Sequence, residues 1–245
     1  MSLKIVIVGG HGNVSLRLAR LLAAAKHTVT SLIRNAEQKN DIEDTGATPQ
    51  VISLEDSSIS DFAKTFEGKD IVYWSAGAGG KGGEERTKKV DYEGAIKVFD
   101  AIEAVQGSKP RLIYVSAIDL RDRNAPHQRI MYTEADLALS ERVHKAIPAY
   151  MHWKYEAEKV LTARTKFNWT SLRPGGLTIE PGTGKAALGK THLSPTVSRD
   201  DVAKALFLLA TRQDANGLGI DMVGGENPIE DELDSAIKQL QTEKA

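Results

Sequence analysis

The sequence predicts a doubly wound α/β protein: a mostly parallel sheet with helices on both faces and a small C-terminal lobe. Three observations predict it. Short apolar, β-branched runs alternate with amphipathic helical stretches along most of the chain. The runs are continuously apolar rather than alternating, as strands buried on both faces must be. The first run ends in a glycine turn, Gly9-Gly10-His11-Gly12, that leads straight into a helix.

Residues 3–8 form the first run, and the helix after the glycines carries Val14, Leu18, Leu21, Leu22 and Ala25 on one face. Strands are expected at 28–33, 51–54, 70–75 and 111–116, and helices at 57–66, 84–105 and 149–164. A sixth strand at 169–172 is stopped by Arg173-Pro174-Gly175-Gly176. Residues 176–197 are rich in Gly, Pro and Thr and read as irregular chain with short strands. Ser198-Arg199-Asp200-Asp201 opens a helix in the manner of a capping box, with Val202, Leu206 and Leu209 as its core stripe. A strand at 220–223 and a helix at 229–240 close the chain. No internal repeat is visible. The whole reads as one domain, 1–245, in which 176–198 and 218–245 form much of the small lobe.

Composition removes several function classes. A formal net charge of -1 supplies no electrostatic attraction to nucleic acid or to an anionic membrane, so neither is expected as a partner. The chain has no cysteine, which excludes disulfides, thiolate catalysis and cysteine metal sites. No stretch reaches the roughly 18 apolar residues of a membrane helix, and no signal peptide precedes the first strand, so the cytoplasm is the expected location. His127, His144, His152 and His192 lack metal-ligand spacing, and no metal is expected. Gly184-Lys185-Ala186-Ala187-Leu188-Gly189-Lys190-Thr191 fits a triphosphate-binding loop letter for letter, but the flanking Pro181 and Pro195 do not suit the strand and helix that such a loop needs.

The informative motif is the glycine turn. A tight exit from a strand needs glycine, and so does close backbone approach to a pyrophosphate. The next helix aims its free N–H groups and dipole at the phosphates. Gly9, Gly10, His11, Gly12, Asn13 and Val14 are therefore expected to cradle a dinucleotide, in a Rossmann-type arrangement. The second strand ends in Arg34, where a site selective for NAD places an acid for the ribose diol. A guanidinium there suits a 2′-phosphate, so NADP(H) is expected over NAD(H). Two segments keep two readings each. The run from Gly77 to Gly83 either orders over nucleotide or stays a loose loop. The charged segment 119–148 either covers a substrate or is a solvated insertion.

At this point the chain resembles the atypical, NmrA-like NAD(P)H-binding branch of the short-chain dehydrogenases/reductases, over nearly its whole length. The landmarks are Gly9-Gly10-His11-Gly12, Ser75-Ala76-Gly77, Val115-Ser116-Ala117, Tyr150-Met151-His152-Trp153-Lys154, Thr170-Ser171-Leu172-Arg173-Pro174-Gly175, Ser198-Arg199-Asp200-Asp201 and Gly224-Gly225-Glu226-Asn227-Pro228. The resemblance implies a catalytic set of Ser116, Tyr150 and Lys154. Tyrosine and lysine four apart share a helix face, so the ammonium would favour the phenolate and reach the nicotinamide ribose. Tyr150 would exchange a proton with the substrate oxygen, and Ser116 would hold that oxygen. Leu54, Ser75, Ala76, Gly77, Pro174 and Gly175 would join the cofactor site, Pro174 and Gly175 bordering the nicotinamide. The chain departs from the family pattern at three places: Ser15 replaces the third glycine, Asp91 stands where asparagine is usual, and Ser53-Leu54 replaces an acidic residue. The implied activity is reduction of a carbonyl, quinone or flavin-like acceptor by a small-molecule oxidoreductase, monomeric or homodimeric. Two alternatives stay open: a redox sensor that binds NADP(H) and regulates a partner protein without catalysis, and a flavin or biliverdin-type reductase that needs no Tyr150.

Overall fold

The computed structural model describes residues 2–79, 82–122 and 131–244. Its elements run β1 (Lys4–Val8), α1 (Asn13–Ala24), β2 (Thr28–Ile33), α2 (Lys39–Glu43), β3 (Thr48–Val51), α3 (Ile59–Phe66), β4 (Ile71–Trp74) and α4 (Gly83–Thr87). A wider, π-type turn at Lys88–Glu93 leads into α5 (Gly94–Ala104), then β5 (Arg111–Val115), α6 (Glu134–Ala146), α7 (Pro148–Thr162) and β6 (Trp169–Pro174). β7 (Leu177–Thr178), β8 (Lys185–Gly189), β9 (Val197–Ser198), α8 (Arg199–Leu209), β10 (Leu218–Pro228) and α9 (Ile229–Lys244) complete the chain.

The main sheet has the order β3-β2-β1-β4-β5-β6-β10-β8. All its pairings are parallel except the last, where β8 runs antiparallel to β10. The chain winds outward from β1 in one direction and then from β4 in the other. The crevice beyond the C-terminal ends of β1 and β4 is therefore the topological switch point, where ligands of such sheets bind.

Strand periodicity sorts the core into two layers. Val6, Val8, Trp74 and Tyr114 face α3, α5 and α7 and meet Phe62, Phe99 and Leu161. Ile5, Ile7 and Tyr73 face the other way, onto Leu18 of α1, Leu206 of α8 and Leu233 of α9. The Tyr73 hydroxyl donates to the Leu206 carbonyl at 2.9 Å, tying sheet to helix.

The structure differs from the sequence reading in identifiable places. β3 lies at Thr48–Val51 rather than 51–54, because its residues are exposed or half-buried and no apolar run marks it. The stretch 84–105 is interrupted by the π-type turn. Within 119–148, α6 forms although its buried side chains are Asp136 and Ser140, so no apolar stripe announces it. Gly80, Lys81, Arg123, His127 and Arg129 lie outside the described residues. Of the segments assigned to a C-terminal lobe, β8 and β10 belong to the main sheet, and α9 packs on them. Only β7 and β9 pair apart from it. The triphosphate-loop lookalike is β8, an edge strand with no helix after it.

Ser198 caps α8 by accepting from the Asp201 N–H at 3.0 Å. The Asp201 carboxylate in turn accepts from the Ser198 hydroxyl, from Thr183 N–H at 3.0 Å and from Gly184 N–H at 2.8 Å. Replacing Ser198 with alanine should cost about 1 kcal/mol in urea unfolding. Asp201→Ala should cost more, roughly 2–3 kcal/mol, because it orphans donors on a second segment as well.

Candidate functional site

Each glycine of the turn has its own physical reason. Gly9 sits at φ +82, and a Cβ there would lie 2.6 Å from Ala76 Cα, where β4 ends. Gly10 points the other way: its Cβ would meet Ser31 of β2 at 2.6 Å, and its N–H donates to the Leu32 carbonyl at 2.8 Å. Gly10 therefore closes the turn against β2 and does not line the crevice, unlike Gly9 and Gly12. Gly12 precedes α1 with no side-chain cap, and the first turn of α1 carries no acid. Leu16 N–H makes the first intrahelical bond, to the Gly12 carbonyl, so the N–H groups of Asn13 and Val14 have no helix partner and are available to an anion.

Two connected cavities flank this loop, sharing Gly12, Ser75, Ala76 and Gly77. The first, of about 500 Å³, is lined by Gly9, His11, Arg34, Leu54 and Glu55 among others. Arg34 is exposed there and makes no ion pair among the described residues. His11 is held by the protein, 2.6 Å from Asp41 and 3.1 Å from Gln38. Leu54 is positioned by Lys97, whose ammonium donates to the carbonyls of Leu54 (2.5 Å) and Ser57 (2.9 Å).

The second cavity, of about 740 Å³, is lined by Asn13, Val14, Ser116, Tyr150, Lys154, Pro174 and Gly175, and its remaining walls are largely apolar, including Ile118, Val143, Met151 and Leu193. These halves, joined across a helix N-terminus, fit an extended dinucleotide. The adenosine end would lie toward Arg34 and the nicotinamide end toward Lys154.

Beneath Tyr150 the side of α7 that faces the sheet is charged. Lys154 is buried, donates to the Val115 carbonyl at 3.2 Å, and lies 3.7 Å from Asp91 in the π-type turn. Asp91 also accepts from Ala78 N–H at 2.9 Å, fixing the start of the loop after β4. Burial lowers the Lys154 pKa, and Asp91 and Glu158 oppose that shift. One turn further along α7, Glu158 accepts from the Ser116 hydroxyl and from Arg173 Nε at 2.5 Å. Arg173 lies 3.5 Å from Asp221 of β10, and Arg121 bonds to the same carboxylate. Burial works against the Arg173 charge, but Glu158 and Asp221 outweigh it and hold the guanidinium above its usual range.

One expected interaction is corrected. Lys154 was expected to favour the Tyr150 phenolate, yet its nitrogen lies 5.9 Å from the ring centroid and is engaged by Asp91 and a carbonyl. Burial, with Asp91 adding to it, raises the Tyr150 pKa. The group is a neutral phenol, and its hydroxyl has no hydrogen-bond partner among the described residues.

Sequence reasoning missed Glu158, Asp221, Arg121 and Asp119. Glu158 was findable, since it repeats the four-residue step from Tyr150 to Lys154. Asp221 and Arg121 meet only through the sheet order. Asp119, at φ 64 on the cavity wall, is held by the Tyr132 hydroxyl at 3.0 Å and lies 3.2 Å from His144.

A family model described as NAD(P)H-binding matches residues 9–213. A UPF0659 protein of Schizosaccharomyces pombe is 44% identical, the match covering 91% of each chain. YhfK of Bacillus subtilis, named an uncharacterized sugar epimerase, is 32% identical over 94% of this chain and 99% of its own. Among solved structures, the oxidoreductase ylbE of Lactococcus lactis superposes with a TM-score of 0.78 at 25% identity, covering 97% of this chain and 98% of its own. No helix among the described residues is long and apolar enough to cross a membrane.

Because Glu158 would lose its cationic partner, Arg173→Leu should destabilise the fold by about 3–5 kcal/mol in urea unfolding. A loss below about 1 kcal/mol would show that the network carries no structural weight.

Proposed function

The chain belongs to the NAD(P)H-binding family, and from that premise we propose that it is an NADP(H)-dependent oxidoreductase that reduces a carbonyl, quinone or flavin-like acceptor. The observation that carries the reading is Tyr150: a protonated hydroxyl, without a hydrogen-bond partner among the described residues, in an apolar-walled cavity that continues from the glycine loop past Lys154. A proton donor for reduction needs those attributes.

When bound, the reduced nicotinamide supplies the hydride. The residues of this chain do the rest. The N–H groups of Asn13 and Val14 would hold the pyrophosphate, and Lys154 would hold the nicotinamide ribose. Pro174 and Gly175 would border the ring; the Gly175 N–H is fixed by the Met222 carbonyl at 2.8 Å. Tyr150 would give its proton to the acceptor oxygen, leaving that oxygen as a hydroxyl. Ser116 lines the same wall. The apolar walls exclude water and favour an acceptor with an apolar body over a free sugar.

Arg34 carries the cofactor preference, since a guanidinium at the end of β2 with no ion pair among the described residues suits a 2′-phosphate. Arg34→Ala should raise KM for NADPH by about 10- to 100-fold while leaving KM for NADH nearly unchanged. An equal effect on both cofactors would remove the assigned preference.

The deciding experiment follows NADPH oxidation across aldehydes, ketones, quinones and flavins, in wild type and Tyr150→Phe. Loss of a general acid should lower turnover about 10²- to 10⁴-fold. Turnover that survives the substitution moves the chemistry off Tyr150, towards direct hydride transfer to a flavin-like acceptor. Tight NADPH binding with no turnover makes the chain a cofactor-binding regulator.

A further inference from the structure

Ser116 lines the cavity, yet its one proton points out of it, into Glu158. We propose that Glu158 sets the hydrogen-bond polarity of Ser116, so that this serine accepts a hydrogen bond from the ligand and the site selects a group bearing O–H or N–H. The inference rests on reading the cavity as the catalytic site of an NADP(H)-dependent enzyme, and it names the chemistry that Ser116 recognises there.

The donor inventory dictates the polarity. A guanidinium has donors only, and Arg173 sends Nε and Nη2 to one carboxylate oxygen of Glu158, each at 2.5 Å. The other oxygen faces Ser116. A carboxylate paired with a guanidinium can only accept, so the serine must donate to it, and a hydroxyl has a single proton. What remains for the cavity is the pair of lone pairs on Ser116 Oγ. A bare carbonyl oxygen placed between Tyr150 and Ser116 would accept from the first and face lone pairs on the second. A hydroxyl in the same place would accept from Tyr150 and donate to Ser116. The site therefore favours the alcohol form of a carbonyl–alcohol pair, or an acceptor with a hydroxyl or N–H beside its carbonyl. Glu158 is a positioning residue in this scheme, acting through Ser116.

One substitution reverses the polarity. In Glu158→Gln the amide oxygen must face Arg173, which has no acceptor to offer. The amide NH₂ then faces Ser116 and donates to it, and the serine proton is released towards the cavity. Ser116→Ala removes the acceptor altogether and keeps the ion pair.

The test uses NADP⁺-bound protein and two inert probes of the same shape, phenol and pyridine N-oxide. Both accept a hydrogen bond from Tyr150, and only phenol donates. Their affinities are read by ligand-observed NMR, and the ratio is compared between proteins. The phenol preference should fall about tenfold in Glu158→Gln and about as much in Ser116→Ala. A ratio within twofold of wild type in the variants that fold overturns the proposal, as does a wild-type protein that binds no phenol. Should Glu158→Gln fail to fold, Ser116→Ala decides by the same criterion. Turnover is measured separately: a shifted ratio without NADPH-dependent turnover contradicts the reductase reading alone, and an unshifted ratio with turnover contradicts this inference alone.

Discussion

The arrangement depends on one electrostatic constraint: charges buried between α7 and the sheet must cancel locally. Lys154, Arg173 and Arg121 face Asp91, Glu158 and Asp221, three cations against three carboxylates. An isolated ion in such a place costs several kcal/mol, so no member can leave without stranding another. The pairing draws together α7, the π-type turn, β6, β10 and the segment after β5. It also sets where Tyr150 stands, because Tyr150 rides on the same helix one turn before Lys154.

That constraint accounts for Asp91, the most conspicuous departure from the family pattern. An asparagine could bond to the loop after β4, but it could not balance the Lys154 charge. With aspartate, the lysine is neutralised from behind, and the tyrosine is left a neutral phenol. A neutral phenol can give a proton, which is what the proposed reduction asks of Tyr150. The π-type turn is the backbone device that aims Asp91 inward, and such turns recur at functional sites.

Much of this was legible in the sequence where a local signal existed. β2 lies at the expected 28–33, the Ser198 cap forms, and the glycine turn leads from β1 into α1. These features depend on a strand period, a cap or a positive φ, all of which are local. α6 was not legible, because the side chains it buries are polar. β3 was misplaced, because an edge strand with Pro49 in it carries no apolar run. Tyr150, Lys154 and Ser116, expected from spacing and resemblance, line one cavity. The company they keep was not legible: Asp221 and Arg121 reach Arg173 only because β10 pairs beside β6, and no spacing in the chain records that adjacency.

The most direct measurement is a crystal structure of the protein with NADP⁺. The account predicts the pyrophosphate on the N–H groups of Asn13 and Val14, the 2′-phosphate on Arg34 and the nicotinamide ribose on Lys154, with the ring beside Tyr150. A nucleotide bound away from the glycine turn, or one that leaves Lys154 paired with Asp91 alone, would contradict it.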